Sequence, residues 1–308
     1  MKILITGGTG MVGTAFKNTN SRHELILVNS KEYDLKETLE ANRMIKEIKP
    51  QAVIHLAARV GGIKGNMDHM ADFFSDNVAI NLNLLNACHN GDVEKVVSVL
   101  STCVYPDDSI YPLTEDQIHM GAPHKSNFGY AYAKRMLDIH SKALRQQYKR
   151  NYTCAVPNNL YGANDNFDLI NGHVVPTVIR KIWEAKQSGI PPIFWGTGTP
   201  LREFTYAPDF AEILLWMVEN YNSTQPLNVG NTEEIKISTM VEMVAKILDY
   251  DGEIIWDTKM PEGQFKKPSS NKNFLNLYSD FNYTKIKDGL KSTCSWFTKN
   301  YPKVRGVK

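Results

Sequence analysis

Four short runs in the first third of the chain are almost wholly apolar: Ile3–Thr6, Leu25–Val28, Val53–Leu56 and Val96–Leu100. Runs of this length without polar alternation predict strands covered on both faces. Between them, Leu35–Ile48 and Phe73–His89 carry apolar residues at helical spacing. Strand and helix in alternation predict βαβ units and a parallel sheet. The second half is less regular. Helices are expected over Val174–Gln187, Ser238–Leu248 and Tyr283–Tyr301, short strands over Pro192–Trp195 and Glu253–Trp256, and a loop over Lys259–Asn273. The pattern predicts an α/β protein: a Rossmann-type doubly wound parallel sheet over 1–165, then a smaller α/β substrate-binding lobe over 166–308, with some later segments returning to the first lobe.

Composition narrows the classes. The chain has 308 residues, 42% hydrophobic and 10% aromatic, enough for a sizeable core. Its 35 basic and 33 acidic residues leave a formal charge of +2, without the basic excess of a nucleic-acid binder. The run Ile213–Val218 is too short to span a bilayer, and the first apolar run stops at Thr6-Gly7-Gly8, so neither a membrane span nor a signal peptide is expected. Cys88, Cys103, Cys154 and Cys294 form no CxxC pair, which argues against a disulfide framework or metal site. A cytoplasmic globular protein is the expectation.

Two local patterns carry chemistry. Thr6-Gly7-Gly8-Thr9-Gly10-Met11-Val12-Gly13 follows the first strand and opens a helical stretch. Glycines at 7, 10 and 13 form a variant dinucleotide fingerprint: a tight turn, close backbone approach to a pyrophosphate, and helix-to-strand packing. The spacing alone also fits a plain turn; the strand–turn–helix setting favours a cofactor. At the tip of the second strand, where an acid would hold a ribose 2′-hydroxyl, stand Asn29, Ser30 and Lys31. That favours NADP(H), although Glu32 is adjacent.

Tyr130 and Lys134 stand at i and i+4 and share a helix face. A nearby cation favours the phenolate and lowers the phenol pKa, as proton exchange with a carbonyl oxygen would need. By itself, YxxxK fits an ordinary amphipathic surface equally well. Ser101 follows the fourth apolar run, at the carboxyl end of the expected sheet where such folds place ligands. If that strand continues, Cys103 points to the same side as Ser101.

Glycine turn, strand-end serine and YxxxK, in that order, resemble the extended short-chain dehydrogenase/reductases. Within them the chain is similar to the GDP-L-fucose synthase family. The resemblance runs through His55–Gly62, Leu100–Pro106, Asn127–Met136, Pro157–Gly162, Asp165–Phe167, Gly172–Pro176, Trp195–Phe204 and the block 263–267. It implies 3,5-epimerisation and NADPH-dependent 4-reduction of GDP-4-keto-6-deoxy-D-mannose by a homodimer. Ser101, Tyr130 and Lys134 would serve reduction, and Cys103 and His173 would be the base and acid of epimerisation. Gly7, Gly10, Met11, Val12, Gly13, Asn29, Ser30, Lys31, Ala57, Ala58, Tyr130, Lys134, Asn159 and Leu160 would hold NADP(H). Lys181, Trp195, Arg202 and Lys267 would hold the GDP end, where cations suit a diphosphate.

Asn158, Ala163 and Asn164 depart from the family pattern and bear on the choice of sugar. The remaining histidines show no ligand spacing, and no metal is expected. Two other readings stay open: a related reductase or epimerase acting on another 4-keto sugar, and a non-catalytic NADP-binding regulatory subunit.

Overall fold

The computed structural model describes residues 1–260 and 264–307. Its strands are β1 (Lys2–Thr6), β2 (Glu24–Val28), β3 (Ala52–His55), β4 (Lys95–Val99), β5 (Asn151–Val156), β6 (Asn159–Tyr161), β7 (Ile193–Trp195), β8 (Leu201–Tyr206), β9 (Leu227–Asn228), β10 (Glu234–Lys236) and β11 (Ile255–Asp257). The helices are α1 (Met11–Ala15), α2 (Thr38–Ile48), α3 (Ile63–Asp68), α4 (Met70–Asn90), α5 (Phe128–Tyr148), α6 (Val174–Ser188), α7 (Ala207–Asn220), α8 (Ile237–Ile247), α9 (Lys272–Leu277) and α10 (Ile286–Asn300). Gly263, in the last block of the resemblance, lies outside the described residues.

A six-stranded parallel sheet, ordered β2-β1-β3-β4-β5-β9, forms the centre. Its central strands are largely apolar because successive side chains enter different cores. Leu4, Val53 and Val96 pack with Leu84, Leu85 and Leu137 of α4 and α5. Their neighbours Ile3, Ile5, Ile54 and Val97 pack on the opposite face with Phe210, Leu214 and Met217 of α7. Late segments share this second core: Leu227 and Val229, then Phe274 of α9 and Phe281. A third core joins α6, α8 and α10 to Phe194 and Phe204. Beside it lie two small sheets, β10-β8-β6 and β11-β7.

Two details depart from the sequence reading. The stretch expected to be loop up to Asn273 already begins a helix at Lys272, where Phe274 is fully buried against Trp216 and Phe281. The fourth strand does not continue to Cys103. It ends at Val99, and Ser101 caps a 3₁₀ turn over Thr102–Val104, accepting the Cys103 N–H on its hydroxyl at 3.4 Å. Ser101 is a favourable residue at such a cap because its side chain satisfies a free amide. Cys103 is therefore brought back toward Ser101 by a turn, not by strand alternation.

Candidate active site

At the start of the sheet, the glycine turn is built for close approach. Gly7 has φ +71°, a left-handed conformation that favours glycine. An ideal Cβ on Gly13 would lie 2.4 Å from the Gly7 oxygen, so only glycine lets α1 pack onto the turn. The Met11 and Val12 amides open α1, where the first N–H groups lack an intrahelical acceptor. Ala57 flanks the same turn and donates its N–H to Thr6 Oγ1 at 3.2 Å. A turn with no side-chain bulk, edged by backbone donors, fits a dinucleotide pyrophosphate.

The tip of β2 is organised by an interaction the sequence did not reveal. Glu32 Oε2 accepts from both the Asn29 amide N–H at 2.9 Å and Asn29 Nδ2 at 2.5 Å, while Asn29 Oδ1 accepts from Lys31 N at 2.9 Å. The Glu32 carboxylate is thus engaged within the tip, and Ser30 and Lys31 stand exposed. A cation and a hydroxyl presented in this way fit a 2′-phosphate.

Beneath the turn, His55 is fully buried between Thr6 and Asn81. Asn81 Nδ2 donates to Ala133 O at 2.8 Å, which leaves Asn81 Oδ1 facing His55 Nε2 at 3.0 Å. The ring therefore donates from Nε2 and accepts the Thr6 hydroxyl on Nδ1 at 2.9 Å. Burial holds its pKa down to about 3, so the ring is neutral. This chain of hydrogen bonds ties the cofactor turn to α5.

The carboxyl end of β4 gathers Ser101, Cys103, Tyr130 and Lys134. Lys134 is 2% exposed; its Nζ donates to Val99 O at 2.8 Å and lies 5.8 Å from the centre of the Tyr130 ring. Burial pushes the Lys134 pKa down to about 8, with the Cys103 and Cys154 sulfurs pulling it back up. Tyr130 differs from expectation. Burial, and then the Cys103 charge, push its phenol above the usual range, so the hydroxyl stays protonated. Among the hydrogen bonds of the described residues, that of Lys134 Nζ runs to the Val99 oxygen of β4. Burial also pushes the Cys103 thiol up; the Ser101 hydroxyl, Lys267 and Lys134 act in the opposite direction.

His173 stands apart from that cluster, as the residue preceding α6. Its side chain is about half exposed, and Nδ1 lies 4.0 Å from Oδ1 of Asp165. Asp165 is 5% exposed, and its Oδ2 has no hydrogen-bond partner among the described residues. The sequence reading passed over this carboxylate; an aspartate inside a motif with a histidine eight positions on was the available signal. The turn before His173 lies against Gly62, whose ideal Cβ would stand 3.6 Å from the Asn171 and Gly172 oxygens.

The four residues expected at the GDP end fall in the second lobe or beside it. Lys181 on α6 donates to Ile193 O at 2.7 Å, and Trp195 on β7 is 58% exposed. Arg202 on β8 reaches Leu201 O at 2.7 Å and Phe265 O at 3.4 Å. Burial lowers the pKa of Lys181, Arg202 and Lys267. Leu160 on β6 packs against the second core, and Asn159 donates to Glu203 O at 2.9 Å. Ala58 follows Ala57 after β3 and is half-buried. Asn158 faces inward, as described below, while Asn164 takes φ +63°.

Parallel sheet, glycine turn and strand-end cluster define a Rossmann-type fold with a nucleotide cradle. The NAD dependent epimerase/dehydratase family matches residues 3–230. GDP-L-fucose synthase from Dictyostelium discoideum is 40% identical, over 98% of this chain and 97% of its own. GDP-L-colitose synthase from Yersinia pseudotuberculosis is 36% identical, over 96% and 98%. The crystal structure of a GDP-L-fucose synthetase from Naegleria fowleri bound to NADP superposes with a TM-score of 0.93 at 39% identity, covering 98% of this chain and 94% of that one. The chain belongs to the NAD dependent epimerase/dehydratase family and, within it, to the GDP-L-fucose synthases.

Replacing Ser30 with aspartate adds a negative charge at the exposed tip of β2. Ser30→Asp should weaken NADPH binding more than NADH binding, read by titrating each cofactor; equal losses for both would contradict the assignment of this tip to the 2′-phosphate.

Proposed function

We propose that this chain converts GDP-4-keto-6-deoxy-D-mannose to GDP-L-fucose by 3,5-epimerisation and NADP(H)-dependent 4-reduction. The observation that carries the reading is the gathering of Ser101, Cys103, Tyr130 and Lys134 at the carboxyl end of β4, in a chain of this family. Residues 1–165 would form the NADP-binding unit, with α7, β9 and α9 returning to it, and the rest of 166–308 would hold the GDP-sugar. Gly7, Gly10, Met11, Val12, Gly13, Ala57, Ala58, Asn159 and Leu160 would line the cofactor, with Asn29, Ser30 and Lys31 at its 2′-phosphate.

Protons on the carbons flanking the 4-keto group are acidic because the carbanion is delocalised onto the carbonyl oxygen. Cys103 removes one and His173 delivers another from the opposite face, which inverts the centre. The two residues come from different elements, Cys103 from the turn after β4 and His173 from the residue preceding α6. Asp165 Oδ1 lies 4.0 Å from His173 Nδ1, on the ring that would deliver the proton. Through its Ser101 partner and the charges of Lys134 and Lys267, Cys103 gains part of what burial takes from its acidity.

For reduction, the bound dinucleotide supplies hydride to C4. Tyr130, held protonated by burial, donates its hydroxyl proton to the developing C4 alkoxide, and Ser101 hydrogen-bonds the same oxygen. Lys134 supplies positive charge beneath the phenol. Lys181, Arg202 and Lys267 offer cations to the diphosphate, and Trp195 an exposed aromatic face to the nucleotide.

A second sugar is favoured by one observation, the GDP-L-colitose synthase relative at 36% identity. Ala163 and Asn164, at the departure from the family pattern, are the residues that such a change of sugar would involve.

The proposal includes a homodimer in the cytoplasm. No helix among the described residues is long and apolar enough to cross a membrane. The four cysteines are free. On α4, Phe74 and Leu82 are exposed, and on the adjoining α5 so are Phe128, Tyr132 and Ile139. Large apolar side chains at helical spacing on two neighbouring helices suit an isologous interface. Leu82→Glu with Ile139→Glu should convert a dimer to a monomer in light scattering; an unchanged mass would contradict this surface.

Tyr130→Phe keeps the ring and removes the proton, so reduction should fall by about 10²–10⁴-fold with NADPH affinity retained. Reduction should also decline as pH rises through about 8, where Lys134 loses its charge. The sign for stability is opposite. The unfolded chain holds more protons on this lysine between about 8 and 10.5, so folding gains as pH rises across that window. Near wild-type turnover by Tyr130→Phe would exclude the phenol as proton donor.

Epimerisation is separable from reduction. In deuterated water without NADPH, Cys103→Ser should lose deuterium incorporation at C3 and C5, since serine hardly ionises. His173→Gln should begin exchange without completing inversion. Normal exchange at both carbons in Cys103→Ser would falsify the assignment of the base.

A further inference from the structure

Glu203 lies on β8 next to Arg202 and is 3% exposed, yet it faces no cation among its hydrogen-bond partners. Three donors converge on it instead. Ser269 N–H reaches Oε1 at 2.9 Å, the Ser269 hydroxyl reaches Oε2 at 2.6 Å, and Asn158 Nδ2 reaches Oε2 at 3.1 Å. Asn158 is fixed in turn. It donates to Asn231 O at 2.7 Å and accepts the Thr205 hydroxyl at 2.6 Å, Thr205 sharing the Glu203 face of β8. Both ends of the amide are used, which a threonine at 158 could not reproduce. This departure from the family pattern therefore belongs to a brace behind the cleft.

The braced element is the segment from Phe265 to Asn271. Phe265 O accepts from Leu201 N at 2.8 Å, Leu113 N donates to Pro268 O at 2.9 Å, and Ser270 N donates to Leu113 O at 3.0 Å. Asn271 Nδ2 donates to Gly230 O at 2.9 Å. Lys267 sits between these anchors, two residues beyond Phe265, whose oxygen accepts from Arg202 Nη1 at 3.4 Å, and its charge acts on Cys103. Ser269 anchors the segment to a carboxylate, through two hydrogen bonds to Glu203. A charged acceptor matched to three donors is stronger than a neutral one, and it is costly to bury without them.

We propose that Glu203 is a positioning residue: by gripping Ser269, with Asn158 as its support, it holds Lys267 at the Cys103–Arg202 end of the substrate cleft. The inference rests on the functional reading above for what Lys267 touches, though not for the grip itself. It also accounts for Arg202 and Glu203 standing side by side. Strand alternation sends the two side chains to different faces of β8, and each meets the segment, Arg202 at the Phe265 oxygen and Glu203 at Ser269.

Glu203→Gln keeps the shape but turns an amide NH₂ toward donors, leaving at least one unpartnered. Its KM for GDP-4-keto-6-deoxy-D-mannose should rise about tenfold, as for loss of one charge-assisted hydrogen bond, with the KM for NADPH unmoved. In a Lys267→Met background the same change should add less than about twofold, because its effect passes through Lys267. Additive effects, or an equal rise in both KM values, would overturn the proposal. Ser269→Ala provides the same tests if Glu203→Gln does not fold. Amide exchange of the segment around Ser269 reads the grip without turnover: it should quicken in either variant, and unchanged protection would also overturn the proposal. Wild-type enzyme that fails to turn over this sugar, with faster amide exchange in the variants, would refute the functional reading and leave the grip standing.

Discussion

One contact fixes the arrangement of the proposed reductive site: the hydrogen bond from buried Lys134 Nζ to Val99 O at the end of β4. An ammonium this deeply buried needs an acceptor, and the last carbonyl of a central strand is one that the sheet leaves available. The bond sets the height of α5 over the sheet. Tyr130, one turn earlier, is held with its ring centre 5.8 Å from Lys134 Nζ, and the 3₁₀ turn brings Cys103 close enough for its charge to act on the phenol. A second chain of bonds, from Ala57 through Thr6, His55 and Asn81 to Ala133, ties the cofactor turn to that helix from the other side. Two sets of hydrogen bonds thus register the nucleotide cradle against the tyrosine.

Burial shapes the chemistry of this edge in one direction. It makes protons harder to remove from Tyr130 and Cys103 and easier to remove from Lys134 and Lys267. For a proton donor that bias is useful, and Tyr130 needs no help to stay protonated. For a base it is a handicap. Cys103 is aided by two lysines from different parts of the chain, Lys134 on α5 and Lys267 in the late segment. The late segment that carries Lys267 therefore adds charge at the β4 cluster, and its anchoring bears on the proposed reaction.

Much of this was legible in the sequence, for a physical reason. β1, β3 and β4 are covered on both faces and so appear as almost wholly apolar runs, and the glycines at 7 and 13 answer to backbone proximity that no other residue allows. The tyrosine and lysine followed from helical spacing. What escaped depends on contacts between distant segments. The end of β4 at Val99 reflects a serine cap, which local apolarity does not record. The start of α9 at Lys272 reflects Phe274 meeting a core built by α7. The phenol's raised pKa reflects burial, and the lysine that local spacing pairs with it is committed to a carbonyl. Glu32, Asp165 and Glu203 carry no mark of their partners in the local sequence; those partners are identified only in three dimensions.

The central claim is that one site both epimerises and reduces. Its most direct test is the product made by the wild-type protein from GDP-4-keto-6-deoxy-D-mannose and NADPH in deuterated water, examined by NMR. The account predicts GDP-L-fucose carrying deuterium at C3 and C5. A reduced 6-deoxy sugar with unchanged C3 and C5 configuration and no deuterium at either carbon would contradict it.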